Sequence, residues 1–318
     1  MIRNKIAGLL SGLLIFSTTS YLLLDTFVIP STYQTNASSE SSTDAFATAL
    51  SNTSSSSTTT STATTSTADL ESIGATVTKT YDTYDENGVK ITVTEYTYLN
   101  TEVYVASVTL DSAESLKSAF ANNSFGKNIT AKTSTIASEN DAILAINGDY
   151  YGAQETGVVI RNGVVYRDDV KSGSEILCIY ADGTMEIISS DDFDSDELVK
   201  KGVWQAYTFG PGLVENGEVS VSSSDEVGKA MASNPRTAIG QTSANNFTFV
   251  VSDGRTSESE GLSLKELATF MQALGCTTAY NLDGGGSSTM YYNGTVINNP
   301  TTTGRISERS VSDIIYVK

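Results

Sequence analysis

The chain contains no histidine among its 318 residues. This absence excludes a nucleophile activated by histidine, as in Ser-His-Asp or Cys-His arrangements, and it excludes a zinc site with histidine ligands. Proton transfer in any reaction must therefore fall to Asp, Glu, Lys or Tyr side chains.

Cysteine and proline are also scarce. The two cysteines, Cys178 and Cys276, are far apart in the sequence and form no CxxC pair, so a thiolate metal site is not supported. Cys178 lies in a strand-like apolar run and Cys276 follows a helical pattern, and we interpret both as buried thiols rather than as a disulfide. The chain has only four prolines, which permits long β ladders.

Basic residues are in the minority. The chain has 19 Lys and Arg against 37 Asp and Glu, which gives a net charge of −18 and a pI of about 4.3. No basic stripe with interspersed aromatic residues occurs, so nucleic acid is not predicted as a partner. We interpret the acidity as a solvated surface.

Residues 1–30 are predicted to be a signal anchor, with a cleaved signal peptide as the alternative. Arg3 and Lys5 precede a mainly apolar run over residues 6–29, which is long enough for a bilayer span of roughly 20 residues. A Ser/Thr cluster interrupts the run, and no small-residue cleavage site follows Leu24 directly. Because the basic flank stays in the cytoplasm, we expect a single-pass cell-membrane protein with an extracytoplasmic C-terminal domain, or a secreted protein if the segment is cleaved.

Residues 31–69 are predicted to be a flexible linker, because a segment of almost only Ser, Thr and Ala cannot bury enough apolar surface to offset its ordering entropy.

Residues 70–318 are predicted to form one globular domain of the α+β class, mostly antiparallel β-sheet with a few packed helices. Two β-rich runs, over residues 91–99 and 102–110, predict an opening hairpin. Further hairpins are predicted at four turn dipeptides, which are Asn162-Gly163, Asp182-Gly183, Asn216-Gly217 and Asn293-Gly294.

Two helices are predicted from apolar spacing and capping signals. The clearer one covers residues 263–274, where Ser263 and Glu266 form a capping box and Gly275 ends the helix. A second is predicted to begin near Asp111, with Glu114 three residues on, followed by apolar residues at Leu116, Ala119 and Phe120.

Two polar segments follow apolar strand-like runs and carry carboxylates. Asn147, Gly148, Asp149 and Tyr150 come after the run over residues 142–146, where they could form an ordinary turn or bring an amide and a carboxylate to a strand end. The second segment contains Asn281, Leu282, Asp283, Gly284, Gly285, Gly286, Ser287 and Ser288.

The glycines of the second segment let the backbone approach a ligand, and successive N–H groups in such a loop can converge on an anion. Asp283 would repel a bare phosphate, so a carboxylate at the edge of an anion loop suggests chemistry beside a phosphate. No Lys follows the glycines, so nucleoside triphosphate binding is not indicated.

Two arginines begin strand-like segments. Arg236 follows Pro235 and opens an apolar run, where it could bind phosphate or carboxylate in a bidentate manner or form a structural salt bridge. Arg309 precedes the last strand and could be a second anion ligand or an ion-pair partner of Asp313; we favour the ion pair.

Four motifs together resemble the phosphodiester glycosidase family, in the family's order and from roughly residue 141 to the C-terminus. They are Asn147-Gly148-Asp149-Tyr150-Tyr151, Asn234-Pro235-Arg236-Thr237, the segment from Asn281 to Ser288, and Arg309-Ser310-Val311-Ser312-Asp313. The resemblance implies hydrolysis of a sugar–O–phosphate bond at the anomeric carbon. Bacterial relatives are often exopolysaccharide-related, which fits a surface-exposed domain. The family resemblance does not define the natural substrate, for which we expect an envelope or exopolysaccharide-type glycan.

Chemistry and resemblance together suggest the site residues. Asp149 and Asp283 are the candidates for general base, nucleophile or sugar-hydroxyl ligand, and their roles stay open. The predicted substrate and phosphate ligands are Asn147, Gly148, Tyr150, Arg236, Asn281, Gly284, Gly285, Gly286, Ser287, Ser288 and Arg309. No cofactor is expected, although Asp and Asn oxygens would suit Ca²⁺ or Mg²⁺. The alternatives are a glycan-binding domain without catalysis and a factor that assembles or transfers an envelope polymer.

Overall fold

The computed structural model describes residues 30–32, 67–221 and 233–318. Its first strands are β1 (Ser31–Thr32), β2 (Thr76–Thr80), β3 (Tyr84–Glu86), β4 (Val89–Tyr98), β5 (Thr101–Leu110), β6 (Leu116–Phe120), β7 (Gly126–Lys127), β8 (Leu144–Asn147), β9 (Val159–Arg161), β10 (Val164–Arg167), β11 (Glu175–Tyr180) and β12 (Met185–Ser189). The later strands are β13 (Val203–Tyr207), β14 (Gly212–Glu215), β15 (Glu218–Val219), β16 (Arg236–Ser243), β17 (Asn246–Ser252), β18 (Thr278–Asn281), β19 (Met290–Tyr292), β20 (Thr295–Val296), β21 (Thr301–Thr302), β22 (Arg305–Ile306) and β23 (Asp313–Val317). The α-helices are α1 (Thr67–Ser72), α2 (Thr133–Glu139), α3 (Ser195–Lys200) and α4 (Leu264–Ala273).

The strands form three large sheets in which every pairing is antiparallel. A nine-stranded sheet has the order β15-β14-β18-β16-β17-β5-β4-β2, with β3 also paired to β4. Two five-stranded sheets have the orders β20-β19-β8-β23-β6 and β10-β9-β13-β11-β12. The predicted class, mostly antiparallel sheet with few helices in one domain, is confirmed.

One buried apolar cluster joins all three sheets. Ile91 and Phe249 of the nine-stranded sheet pack in this cluster with Ile146 and Ile315 of one five-stranded sheet and Leu177 of the other. Alternate residues of a strand point to opposite faces, so each sheet has a second face that must also be covered. Helix α4 covers the nine-stranded sheet, α2 covers the sheet of β8 and β23, and α3 covers the sheet of β11 and β13.

The local turn and capping predictions are confirmed. Strands β4 and β5 form the opening hairpin, and each of the four predicted dipeptides joins two paired strands. In the three Asn-Gly turns both residues have positive φ, as the type I′ hairpin turn requires. Ser263 and Glu266 form the predicted capping box of α4, and Gly275 follows the helix with φ +80°. Both cysteines are buried and free.

The predicted helix near Asp111 is wrong. A single 3₁₀ turn over Ala113–Ser115 is followed by strand β6, in which Leu116 pairs with Val317 and Ala119 with Ile314 of β23. The apolar spacing was compatible with a helix. The ladder to β23 gives this short segment hydrogen-bond partners and a covered face, and such tertiary pairing overrides local preference.

The predicted membrane segment lies outside the described residues except for Pro30. Of the predicted linker, Ser31–Thr32 form β1, which pairs with β7, and α1 begins at Thr67; the rest also lies outside. Within the described ranges, no helix has the length and apolar character needed to span a bilayer.

Ser263→Ala tests the contribution of the capping box. Its hydroxyl accepts from the Glu266 N–H and the Glu266 carboxylate accepts from the Ser263 N–H. We expect the free energy of unfolding to fall by about 1 kcal/mol in urea denaturation, because the Glu266 N–H at the start of the helix loses its side-chain acceptor. Thr269→Ala on the same helix is the control, and an equal loss there would contradict the capping argument.

Candidate active site

The predicted motifs meet at one end of two sheets. Because β8 and β23 are antiparallel, with Asn147 opposite Ile314, the end of β8 lies beside the start of β23. In the same way the end of β18 lies beside the start of β16, with Asn281 opposite Ala238. Polar residues that are distant in sequence therefore reach a common region.

Asn147 connects the two sheets at this end. Its side-chain Nδ2 donates to the backbone oxygen of Asp283 at 2.7 Å. Its Oδ1 accepts from the Thr237 hydroxyl at 2.8 Å and from the Thr289 N–H at 3.3 Å. Asn147 is fully buried, so it holds the two carboxylate-bearing loops together from behind.

A cavity of about 220 Å³ opens between these loops. It is lined by Asn128, Thr130, Asp149, Tyr150, Gly152, Ala153, Asp283, Ser287, Arg309, Ser310, Val311 and Ser312. Both predicted catalytic residues, Asp149 and Asp283, thus line one cavity. Tyr150 is 45% exposed and presents a large apolar side chain there.

The Asp149 carboxylate is held by three donors. Its Oδ1 accepts from the Tyr151 N–H at 3.0 Å, and its Oδ2 accepts from Arg161 Nη2 at 3.0 Å and from the Thr208 N–H at 3.2 Å. Hydrogen bonds from charged and backbone donors restrict the carboxylate to one orientation.

Arg161 is buried, with 1% of its side chain exposed, and binds two carboxylates. Besides Asp149, its Nε donates to Asp313 Oδ2 at 2.8 Å. Its Nη1 donates to the backbone oxygens of Ile160 and Ala206, and its guanidinium lies over the Tyr207 ring at 3.9 Å. Burial opposes the charge on Arg161, but the two carboxylates raise its pKa overall.

Asp313 is buried beside the same arginine, so the predicted ion pair of Arg309 with Asp313 is wrong. Burial raises the pKa of the Asp313 carboxyl to about 7, although the Arg161 guanidinium lowers it, and the Asp149 carboxylate adds to the rise. A Cβ on Gly148 would overlap the Asp313 carboxylate, which explains why glycine stands at this position.

Arg309 instead binds Asp283. Its Nη2 lies 3.2 and 3.0 Å from the two Asp283 carboxylate oxygens and 2.9 Å from the Gly284 backbone oxygen, and its Nε donates to Ser287 Oγ at 2.8 Å. The Arg309 side chain is 42% exposed. Burial raises the pKa of the Asp283 carboxyl, and the Arg309 charge lowers it by less.

The glycine loop passes between two arginines. Gly285 has φ +64°, and a Cβ there would lie 3.0 Å from the Arg255 guanidinium, so both conformation and space require glycine. Three of the loop N–H groups, those of Gly285, Ser287 and Ser288, donate to backbone oxygens. These three N–H groups are therefore already paired, and the cavity is lined here by Asp283, Ser287 and Arg309.

Two predicted ligands, Arg236 and Asn281, donate to backbone oxygens. The Arg236 side chain is buried and its Nε donates to the Leu262 oxygen at 2.8 Å. Among the described residues, those that line the cavity do not include Arg236. Asn281 donates through Nδ2 to the Gly210 oxygen at 2.7 Å. Their contact with substrate stays a prediction.

Sequence reasoning missed Arg161 and Arg255. Arg161 is the last residue of the buried strand β9 and precedes the turn at Asn162, so a charged residue at the end of an apolar run was the available signal. Arg255 follows β17 after Asp253 and Gly254, and its guanidinium binds Asn234 Oδ1 at 2.8 Å.

In the described part of the chain, no group of three or more Asp, Glu or Cys side chains is arranged to hold a metal ion.

Curated proteins with similar sequences share only part of their length with this chain. The SPbeta prophage-derived uncharacterized protein YomE of Bacillus subtilis (strain 168) is 29% identical over 249 residues, which are 76% of this chain and 38% of that protein. The N-acetylglucosamine-1-phosphodiester alpha-N-acetylglucosaminidases of Mus musculus and Homo sapiens are 41% identical over 66 residues, which are 21% of this chain and 13% of theirs. The chain therefore spans well under two thirds of the length of these relatives.

Two solved structures show the same fold. The catalytic domain of zebrafish N-acetylglucosamine-1-phosphodiester alpha-N-acetylglucosaminidase aligns with a TM-score of 0.57 at 18% identity, covering 76% of this chain and 87% of that one. A hypothetical protein from Synechocystis aligns with a TM-score of 0.51 at 17% identity, covering 76% and 64%. Residues 140–318, which contain every motif of the site, match the family model of phosphodiester glycosidase. The chain belongs to the phosphodiester glycosidase family.

Proposed function

We propose that this protein hydrolyses the glycosyl–O–phosphate bond of a sugar-1-phosphodiester. The observation that carries the proposal is the common cavity, in which Asp149 and Asp283 face one space and Arg309 binds Asp283 at its edge. Two carboxylates and a partly exposed guanidinium are the groups that a sugar and its phosphate need. Family membership supports the same reaction class.

Cleavage of a glycosyl–phosphate bond needs little help from a general acid that would protonate the leaving oxygen. A phosphate leaving group is already acidic, so catalysis can rest on electrostatic stabilisation of the phosphate and of the oxocarbenium-like sugar. Arg309 and Ser287 are placed to bind the phosphate, and Arg255 borders the same loop. A carboxylate of Asp149 or Asp283 stabilises the positive charge that develops on the sugar. Tyr150 offers an apolar surface to the sugar ring.

The substrate and its location are part of the proposal. The named mouse, human and zebrafish relatives act on N-acetylglucosamine-1-phosphodiesters, which supports a glycosyl phosphodiester here without defining the sugar. The basic and apolar N-terminal sequence supports a domain outside the cytoplasm. An envelope or exopolysaccharide-type glycan fits that location.

The decisive experiment is incubation of the full chain with a panel of glycosyl-1-phosphodiesters and product analysis by NMR. Free sugar and a phosphate monoester are the expected products. The first anomer released shows whether configuration is retained or inverted. Glycan binding without release would support a glycan-binding domain, and transfer to an added sugar or alcohol in preference to water would support a transfer factor.

Asp149→Asn, Asp283→Asn and Arg236→Ala are each expected to abolish sugar release while the fold remains intact. The first two remove negative charges from residues that line the cavity, and the third removes the buried guanidinium of the Asn234–Thr237 motif, which donates to the Leu262 oxygen. Rates are measured by NMR and folding by circular dichroism. Asp85→Asn, which removes an exposed charge paired with Lys90, is the matched control. Wild-type rates in all three variants would overturn the site assignment.

Metal dependence is tested by chelation. Carboxylate and amide oxygens at the cavity could bind Ca²⁺ or Mg²⁺, with Asp149, Asp283 and Asn128 as the nearest donors. Because the arginines already supply positive charge, we expect sugar release to persist after EDTA treatment and dialysis. Loss of activity that added Ca²⁺ or Mg²⁺ restores would establish a metal site instead.

A further inference from the structure

Behind the cavity lies a buried group of three charged side chains, Asp149, Arg161 and Asp313, here called the buried triad. In the buried triad the Arg161 guanidinium binds both carboxylates, donating through Nη2 to Asp149 and through Nε to Asp313. Arg161 and Asp313 do not line the cavity in the described part of the chain, whereas Asp149 does. The triad therefore connects an interior charge network to one of the two proposed catalytic carboxylates.

Arg161 is restrained on every side. Two backbone oxygens, of Ile160 and Ala206, accept from its Nη1, and the Tyr207 ring lies against its guanidinium. A charge removed from water is costly unless it is paired and hydrogen-bonded. These fixed contacts specify where Arg161 presents Nη2, and so they specify where Asp149 is held.

The two cavity carboxylates are restrained to different degrees. Asp149 accepts from three donors that all belong to buried or backbone groups, which saturates most of its acceptor capacity. Asp283 also accepts from three donors, the Ser287 hydroxyl, the Gly284 N–H and Arg309, but its cation Arg309 has a side chain that is 42% exposed, whereas Arg161 is buried. The Asp149 side chain is 1% exposed and the Asp283 side chain is 12% exposed, so Asp149 is the more enclosed and Asp283 the more accessible of the two carboxylates.

We infer that Arg161 and Asp313 are positioning residues that hold Asp149 as a stationary negative charge beside the sugar, which leaves Asp283 as the carboxyl group that exchanges a proton. This assignment rests on the proposed hydrolysis. The bond from the anomeric carbon to the phosphate oxygen breaks, and its electron pair leaves with the phosphate monoester. The oxygen of water bonds to the anomeric carbon, and its proton passes to Asp283 and then to solvent.

The charge of the buried triad depends on pH through the Asp313 carboxyl. The groups that face it are Arg161 on β9, Asp149 after β8, Tyr207 on β13, Tyr151 after Asp149, and Asp283 after β18. Asp313 Oδ1 is buried without a hydrogen-bond partner among the described residues. With two carboxylates and one cation, a single bound proton leaves the triad electrically neutral, which agrees with the pKa of about 7 for Asp313.

The sign of the effect on stability follows from this raised pKa. A carboxyl that titrates near 7 when folded and near about 4 when unfolded binds its proton more tightly in the folded state. Its contribution to the free energy of unfolding is complete below about pH 4 and is lost as the pH rises to about 7. Asp313→Asn, which is nearly isosteric, removes this dependence.

The experiment combines kinetics and stability in the full chain. We expect Arg161→Met to lower kcat by roughly 100-fold, as for loss of one preorganised donor, with KM changed far less because substrate contacts remain. Arg161→Lys is expected to recover part of kcat. Asp313→Asn is expected to make the decline in unfolding free energy between about pH 4 and 7 shallower in urea titrations, while the part that comes from the raised pKa values of Asp253 and Asp283 remains. Arg305→Met and Asp85→Asn, both on exposed residues, are the controls.

Three results would overturn the inference. They are a wild-type kcat in Arg161→Met, an equal fall of kcat in Arg305→Met, and parallel stability curves for the wild type and Asp313→Asn. If Arg161→Met does not fold, the inference is tested by the kcat of Arg161→Lys and by the stability curve of Asp313→Asn. A wild-type kcat in Arg161→Lys together with a wild-type stability curve in Asp313→Asn would then contradict it. A wild-type chain that releases no sugar from any phosphodiester would refute the proposed function, whereas the stability curves would still test the triad.

Discussion

The site depends on the hydrogen bonds of one buried amide. Asn147 donates to the Asp283 backbone oxygen at 2.7 Å and accepts from Thr237 and Thr289, so it joins the end of β8 to the loop after β18. Those two elements belong to different sheets. Without this contact the carboxylates that follow them would have no fixed separation. The apolar core shared by the three sheets also fixes these two strands, because β8 and β18 both contribute buried side chains to the core.

Charge at the site is organised in two layers. The inner layer is the buried triad, where Arg161 compensates Asp149 and Asp313, and the outer layer is Arg309 with Asp283 at the cavity edge. Burial strengthens electrostatic interactions because the effective dielectric constant is low there. In a chain with a net charge of −18, Arg161 and Arg309 thus compensate carboxylates that would otherwise repel one another at the site. The inner layer provides rigidity and the outer layer is accessible to ligand.

Family membership and fold support the reaction class in different ways. The family match covers residues 140–318 and includes all the residues of the site motifs. The likeness to solved structures covers 76% of the chain at 18% and 17% identity, and it shows the fold. Neither finding identifies a ligand, whose shape must match the cavity walls, to which Tyr150, Asn128 and Thr130 contribute.

The sequence by itself determined the local elements and the identity of the important motifs. Asn-Gly turns and the capping box of α4 were predictable because their residues have backbone preferences that act over a few positions. Asp149 and Asp283 were identifiable because each follows an apolar strand. The strand character of β6, the partner of Arg309 and the role of Arg161 were decided only by tertiary structure. Each depends on pairing or burial between residues far apart in the chain, such as Arg161 with Asp313, and local patterns contain no information about such pairings.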